Sequence, residues 1–449
     1  MGGVQSWCGS GPVPRKVETF AKIIADEEST SSVSDIPHRA LYQTGSACLT
    51  DEKVCGRGTF GIVSRSVERS AIDASKRRNV AVKRSAKDKE HDSLRNERAI
   101  LATIDHPYIV KLYGFVPTPG GPVWQLMEDC PDGELFSLIA AEGALPDATA
   151  AIYYRQILGA LNHLHVVMRI VHRDLKPENI LLTHGRKVVK LCDFGTATKL
   201  SSSRGSKASG RIGSLSYAAP EIYQSSQADF ASDMWSAGVL LYVMCCAASP
   251  FRSSEDKDPE REAVERVKRA DMNKKRDKWK KIKNGPKRII LSLLQVDAGR
   301  RLTASQVLSD PWLNESGKVG NLTANDTVDA LRRFAEIENE DLKRAWRALG
   351  SQLPDWNKAR EAFELLDADL DGVVGFNDLS LTDYPVTELR ACFTYSEIVA
   401  ALLAALSSGE RRALVADTLP FAYEAFGGAG TDTEFVQYEN IIMCSSPIN

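Results

Sequence analysis

The sequence has no apolar run long enough to cross a bilayer. Its longest, AGVLLYVMCCAA at 237–248, falls well short of the roughly 20 residues a spanning helix needs. No basic stretch followed by an apolar one opens the chain, so a secretory route is not expected. The Asn-x-Ser/Thr triplets at Asn314, Asn321 and Asn325 are then accidental. The nine cysteines show no CxxC spacing and no regular framework, and adjacent Cys245 and Cys246 cannot easily bridge each other. Such usage suits a reducing, cytoplasmic compartment. Charge of one sign is also missing. The net value of −2 gives no polyelectrolyte character, and nucleic acid is not an expected partner.

What is present reads as a soluble globular chain, 43% hydrophobic and 26% charged. A length of 449 residues suggests two to four domains. Residues 265–288 are strongly basic. They are either a solvated helical face or a docking surface for acidic partners or lipid. The opening MGGVQS fits the acceptor pattern for myristate on Gly2, and Cys8 is placed for palmitate. Two acyl chains anchor far better than one, so peripheral membrane attachment is expected.

Residues 1–47 are polar, lack periodicity and read as a flexible arm. Residues 48–313 begin with short strand-like runs (VAVK, VWQLM) and continue with long helical patterns (ATAAIYYRQILGALNHLH, SDMWSAGVLLYVM). That order predicts a small β-rich lobe followed by a larger α-rich one. Residues 314–352 are a linker and junction helix, and 353–449 form a second helical domain around a loop.

GRGTFGIV at 56–63 places Gly56, Gly58 and Gly61 in a turn between two strands, where bare backbone can approach phosphate oxygens. NVAVK ends a strand on Lys83, and LRNERAIL sets Glu97 on a helix. VHRDLKPENILL supplies Asp174, Lys176 and Asn179 from one loop, LCDFGTA supplies Asp193, and AAPE follows at 218–221. In this order and spacing the elements are those of phosphoryl transfer from ATP.

Residues from about 50 to 313 therefore resemble a protein kinase. The resemblance implies the bilobal α+β kinase fold and ATP and Mg²⁺ as cofactors. Asp174 is then the catalytic base, Lys176 neutralises the γ-phosphate, and Lys83 with Glu97 forms the ion pair of the active state. Asn179 and Asp193 become magnesium ligands. Val63, Ala81 and Leu181 sandwich the adenine, Met127 gates the back pocket, and Glu128 and Cys130 form the hinge. Leu101, Leu112, His172 and Phe194 join the lobes. Asp233 braces the catalytic loop, and Arg301 pairs with Glu221. Each apolar member of this set is also plain core.

Lys176 in DLKPEN, with GSLSYAAPE, resembles serine/threonine kinases. Glu134 and Glu178 match positions that contact arginine N-terminal to the target, so protein substrates with basic motifs are expected; the ATP ribose is the alternative partner for Glu134. Arg173 precedes the catalytic aspartate, and TKLSSSRGSKASGRIGS contains no acid to meet it. A phosphoserine, with Ser209 best placed, is the expected anion. Cys55, Cys130 and Cys192 fall around the adenine site. They are either small hydrophobes or points of inhibition by oxidation.

In the C-terminal part, DADLDGVVGFND at 367–378 has the pattern of an EF-hand calcium loop. Asp367, Asp369 and Asp371, the Val373 carbonyl and Asp378 are the candidate ligands. Aspartate in the last place is one methylene short of the usual glutamate, which weakens calcium or favours magnesium. Val374 would pair with a partner loop. FTYSE at 393–397 resembles the tail of a second, ligand-poor loop, and 419–442 resembles a third hand. The 328–349 helix balances five acids against five bases. It is either an amphipathic packing helix or a connector that blocks the kinase groove. The order of parts resembles the calcium-dependent protein kinases of plants and protists, an all-α EF-hand-like domain following the kinase. The leading expectation is a serine/threonine kinase under calcium control. The alternatives are a pseudokinase or scaffold, and an active kinase whose hands are only structural.

Overall fold

The computed structural model describes residues 42–43, 48–57, 61–70, 75–85, 92–116, 123–201, 208–209, 215–225, 227–253, 256–314, 327–328, 330–331, 334, 340–353, 356–367, 370–375, 392–406, 410, 414–426 and 442. Gly2, Cys8, Gly58, Asp369 and Asp378 lie outside them. Strands β1 (Tyr42–Gln43), β2 (Cys48–Arg57), β3 (Ile62–Arg69), β4 (Arg77–Arg84), β5 (Leu112–Val116) and β6 (Trp124–Glu128) form one sheet in the order β1-β5-β6-β4-β3-β2. β1 runs parallel to β5, and the other pairs are antiparallel. Side chains alternate across a strand, so β4 sends Ala81 and Lys83 to one face and Val80 and Val82 to the other. Helix α1 (Asp92–Leu101) buries Leu94, Glu97, Ile100 and Leu101 at helical spacing. It lies on the Lys83 side of the sheet, as the Lys83–Glu97 ion pair requires.

The larger lobe is mainly helical. It holds α2 (Leu135–Glu142), α3 (Asp147–Asn162), a π-helical turn at His163–Val167, β7 (Ile170–Val171), β8 (Ile180–Thr183), β9 (Val188–Leu191), β10 (Thr198–Lys199) and β11 (Ala208–Ser209). There follow α4 (Pro220–Ser225), β12 (Gln227–Ala228), α5 (Phe230–Cys246), α6 (Pro259–Lys268), α7 (Asp277–Lys281), α8 (Asn284–Leu293), α9 (Ala304–Leu308) and α10 (Pro311–Asn314). Helix α5 is apolar nearly all round and correspondingly buried, Trp235, Leu240 and Tyr242 included. Asp229 and Ser232 close its N-terminus as a reciprocal capping box.

The C-terminal unit contains α11 (Glu340–Gln352), α12 (Asn357–Leu366), β13 (Val374–Gly375), β14 (Cys392–Phe393), α13 (Tyr395–Ala405) and α14 (Leu419–Phe426). It has its own core, built on Trp346, Leu349, Phe363, Leu366, Tyr395, Ile398 and Leu403. Val374 pairs with Phe393 across the antiparallel β13–β14 bridge. Glu397, three residues past the α13 cap, accepts from the Thr394 N–H and meets Arg347 at 3.0 Å. Its carboxylate is thereby used as a cap and an ion pair.

This unit sits behind the kinase-like lobes. Phe421 of α14 packs with Val80, Val82 and Tyr113. The Arg78 guanidinium lies 4.1 Å from both the Tyr113 and the Phe421 ring centroids. Its Nε donates to Glu68 at 2.7 Å and its Nη1 to the Gln352 side chain at 3.1 Å. Lys111 Nζ donates to the carbonyls of Gly350 and Leu353, at the C-terminal end of α11. Asp105 accepts from the Ser396 N–H at 2.8 Å and hydroxyl at 2.9 Å, at the N-terminal end of α13. Both charges match the partial charge of the helix end they meet. The C-terminal end of α11, which continues the expected groove-blocking connector, therefore lies behind the hinge, where its hydrogen bonds run to Lys111, Arg78 and Tyr113.

Candidate active site

Lys83, Glu97 and Asp193 meet where the two lobes face each other. Lys83 Nζ is 2.6 Å from Glu97 and 2.9 Å from Asp193. Burial alone would lower the pKa of this lysine; the two carboxylates outweigh it and hold the ammonium above its ordinary value. Asp193 is held below the usual carboxylate range, because Lys83 outweighs the effect of its burial. Glu97 also accepts from the Phe194 N–H at 3.2 Å, which ties α1 to the segment after Asp193. Asp193 itself adopts φ 62°, a left-handed conformation rare for non-glycine residues.

The loop after β7 gathers the second cluster. Lys176 Nζ lies 2.6 Å from Asp174 Oδ2. Asn179 Nδ2 donates to the Asp174 carbonyl at 2.7 Å and to its Oδ2 at 3.0 Å. Asp233, from the first turns of α5, accepts from the N–H groups of His172 and Arg173 at 2.8 and 2.9 Å and from His165 at 2.9 Å. Those bonds hold Arg173 at φ 69° and so set the direction in which Asp174 leaves the loop. Phe194 is fully buried and edge-on to His172 at 4.9 Å. Leu101 and Leu112 are fully buried as well. Arg301 grips Glu221 with both terminal nitrogens, at 2.7 and 2.8 Å.

Around the cleft, Val63, Ala81 and Leu181 are half-buried while Val80, Val82 and Leu182 beside them are buried. Val63 and Ala81 share the Lys83 face of the six-stranded sheet, and Leu181 belongs to the β8–β9 pair of the larger lobe. Val63 pairs with Lys83 across β3–β4, and Ala81 with Met127 across β4–β6. Gly56, next to last in β2, lies opposite Val63. Gly61 must lack a side chain, because a Cβ there would lie 2.5 Å from the Arg84 carbonyl oxygen. At the hinge, Glu128 is held by Lys190 at 3.0 Å.

Cys130 and Cys192 do not suit the oxidation reading. Burial pushes both thiols well up from their ordinary pKa, so little reactive thiolate forms. Cys55 is exposed.

Glu134 and Glu178 lie together at the mouth. Burial and the Glu178 charge raise the Glu134 carboxyl, and Glu178 Oε2 is buried with no hydrogen-bond partner. Arg173 Nη1 donates to the Thr198 hydroxyl at 3.1 Å. The Ser209 side chain lies outside the described residues.

In the C-terminal loop, Asp367 is 2% exposed and accepts from the N–H groups of Asp371 and Gly372, both at 3.1 Å. Asp371 accepts from Val373 N–H at 2.9 Å. Leu370 at φ 56° and Gly372 at φ 86° turn the chain back. The loop rests on the larger lobe. Asn162 Nδ2 donates to the Leu370 carbonyl at 2.7 Å, and His163 Nδ1 meets the Asp371 carbonyl at 3.0 Å. Asp371 and Val373 thus share one turn with Asp367. These contacts, and those of Asp105, Lys111 and Arg78, were not anticipated from sequence. The available signal was a lysine inside an apolar run, at IVKLYGF and VVKLCDF, which marks a buried and therefore partnered charge.

The family model for the protein kinase domain matches residues 49–313. Calcium-dependent protein kinase 20 of Oryza sativa subsp. japonica is 32% identical over 333 residues, 73% of this chain and 58% of that protein. Calcium-dependent protein kinase 32 of Arabidopsis thaliana is 30% identical over 333 residues, 73% of this chain and 60% of that protein. Calcium-dependent protein kinase 3 of Plasmodium yoelii yoelii is 29% identical over 334 residues, 73% and 60% of the two chains. The chain thus spans about three-fifths of the length of these relatives.

Proposed function

The chain belongs to the protein kinase family, and on that premise we propose that it transfers the γ-phosphoryl group of ATP to serine and threonine hydroxyls of proteins. The observation that carries this reading is the pair of contacts from Lys83 to Glu97 and Asp193, which ties helix α1 to the DFG segment around one buried cation. In this reading Lys83 turns its ammonium towards the α- and β-phosphates. Asp174 accepts the proton of the substrate hydroxyl, and Lys176 faces the γ-phosphate. Val63, Ala81 and Leu181 offer apolar faces to the adenine, between a hinge made by Glu128 and Cys130.

The donor set fits Mg²⁺. Asn179 gives its amide nitrogen to Asp174, which leaves its amide oxygen for a cation beside the Asp193 carboxylate. Asn179 and Asp193 would hold the ion, which would supply positive charge against the phosphates.

Glu134 and Glu178 favour substrates with arginine before the target residue. A buried carboxylate oxygen without a partner favours an incoming guanidinium. Arg173 would exchange its Thr198 contact for a phosphoserine, Ser209 being the candidate.

The C-terminal unit fits an EF-hand-like pair. Support comes from the two left-handed turns in the loop and from the Val374–Phe393 pairing. Asp367, Asp371 and the Val373 carbonyl offer a calcium ion two carboxylates and one carbonyl from one turn. The neighbouring Arg155 charge opposes tight binding. Since the loop carbonyls already dock on Asn162 and His163, ion binding would act through that contact.

One experiment tests the whole reading. The chain is incubated with ATP, magnesium and serine, threonine and tyrosine peptides, with and without upstream arginines, in chelator or micromolar calcium. Phosphate on serine and threonine, favoured by arginine and raised by calcium, is expected. An inactive chain, or phosphotyrosine alone, would overturn the catalytic reading. Equal rates in chelator and calcium would leave the hands structural.

A further inference from the structure

Between Arg266 and Arg288 the sequence has twelve lysines and arginines against two acids, Asp271 and Asp277. Much of that charge is satisfied within the fold. Arg266 pairs with Asp256, Lys268 with Glu265, Lys280 with Asp277, Lys283 with Asp147 and Arg288 with Asp310. Arg276 donates to the carbonyls of Ser249 and Arg252, and Lys287 to that of Lys280. The remainder is different. Arg269, Lys274, Lys275, Lys278 and Lys281 are exposed, and none makes an ion pair among the described residues.

These five stand on a rigid base. Trp279 of α7 is buried and stacks on Tyr242 at 5.5 Å, and the Tyr242 hydroxyl donates to the Asn273 carbonyl at 2.8 Å. Beside them, Arg269, Lys274 and Arg300 rim a shallow cleft that also holds Leu291, Val296 and one acid, Asp297, which pairs with Arg300 at 3.6 Å. The Leu291 and Val296 side chains are 40% and 44% exposed.

We propose that this surface, 269–281 with Leu291 and Val296, docks on the anionic face of a lipid bilayer. Four of the five free cations are lysines. Lysine is a hydrated point charge without the fork that reads a single carboxylate, and it suits the diffuse charge of headgroups better than the directed carboxylates of a protein. Exposed aliphatic side chains in one cleft with Arg269 and Lys274 suit an interfacial surface, apolar parts entering the headgroup layer and charges staying in it. An acidic protein partner is the competing occupant.

The test uses the full chain without acylation, sedimented with vesicles of phosphatidylcholine alone or with about a third phosphatidylserine. Binding to the mixed vesicles alone is expected. It should fade with added salt, as the screening length falls from about 10 Å at 0.1 M to about 3 Å at 1 M. Each lysine near the surface contributes roughly fivefold. The combined Lys274→Glu, Lys275→Glu and Lys278→Glu variant should therefore partition on the order of a hundredfold less. A control carrying Arg95→Glu, Lys187→Glu and Lys358→Glu should bind like the parent. In the unaltered chain, mixed vesicles should protect Lys274, Lys275, Lys278 and Lys281 from acetylation, a readout that does not depend on any variant folding. Equal binding by both triple variants, equal sedimentation with neutral vesicles, or retention on polyglutamate with none on phosphatidylserine would each overturn the proposal.

Discussion

Strand β4 serves two surfaces at once. Its Ala81 and Lys83 face the cleft, and its Arg78, Val80 and Val82 face the C-terminal unit. On the cleft side charge is concentrated and kept ready, with Lys83 between two carboxylates and Glu178 holding an oxygen without a partner. On the far side charge is spent within the fold. Arg78 is enclosed by two rings, Glu68 and Gln352, and Lys111 and Asp105 are bound to helix ends. A polar group aimed at a ligand is left incomplete, whereas one that joins two parts of a fold is completed by the fold.

The sharpest way to break this contrast is at Lys83. Lys83→Met or Asp174→Asn should lower phosphate transfer by roughly 10²–10⁴-fold. Asp174→Asn should hardly move the melting temperature, whereas Lys83→Met strands the buried Glu97 carboxylate and should lower it as well. A variant as active as the parent would place the chemistry elsewhere.

Phe421→Ala should do the reverse. Removing a fully buried phenylalanine costs about 3–5 kcal/mol. The loss should appear as earlier hydrogen exchange in α11 and α14, with Lys83 and Asp174 intact. If exchange in those helices is unchanged, the far face contributes little to docking.

Acid should loosen the same docking. His106 and His163 stack at 5.1 Å beneath the loop, and burial lowers both, His163 to about 4 from 6.5. The folded chain keeps these rings neutral, while the unfolded chain takes up protons below about 6.5. Stability is therefore full above that pH and declines down to about 4. The His163 share is about 2 kcal/mol between pH 7 and pH 5. Melting curves at the two pH values check this, and His163→Gln should flatten the difference.

Asp105→Ala should have the smallest effect, about 1 kcal/mol for a lost helix cap. It should leave the KM for ATP unchanged. A rise in that KM would mean that the two surfaces of the small lobe are coupled.

The cleft was legible in the sequence because its chemistry demands fixed residue types at short spacings. GRGTFGIV, NVAVK, DLKPEN and DFG each hold their residues within a few positions of backbone. The far side was not, because a helix end can be met by any suitable charge from any segment. Asp105 and Ser396 are 291 positions apart, and Lys111 and Leu353 are 242 apart. For Cys130 and Cys192 of the cleft the sequence left two readings open for a related reason. Their positions were readable, but their burial, which decides reactivity, was not. Glu397 resembled the end of an ion loop and serves as a helix cap.

Asp105 and Lys111 carry opposite signs, six positions apart in one segment, and they meet opposite ends of two helices. The joint is therefore keyed. Turned end for end, the C-terminal unit would present a carbonyl end to the aspartate and an amide end to the lysine, and both would repel. Exchanging the two charges, rather than deleting either, would invert the key.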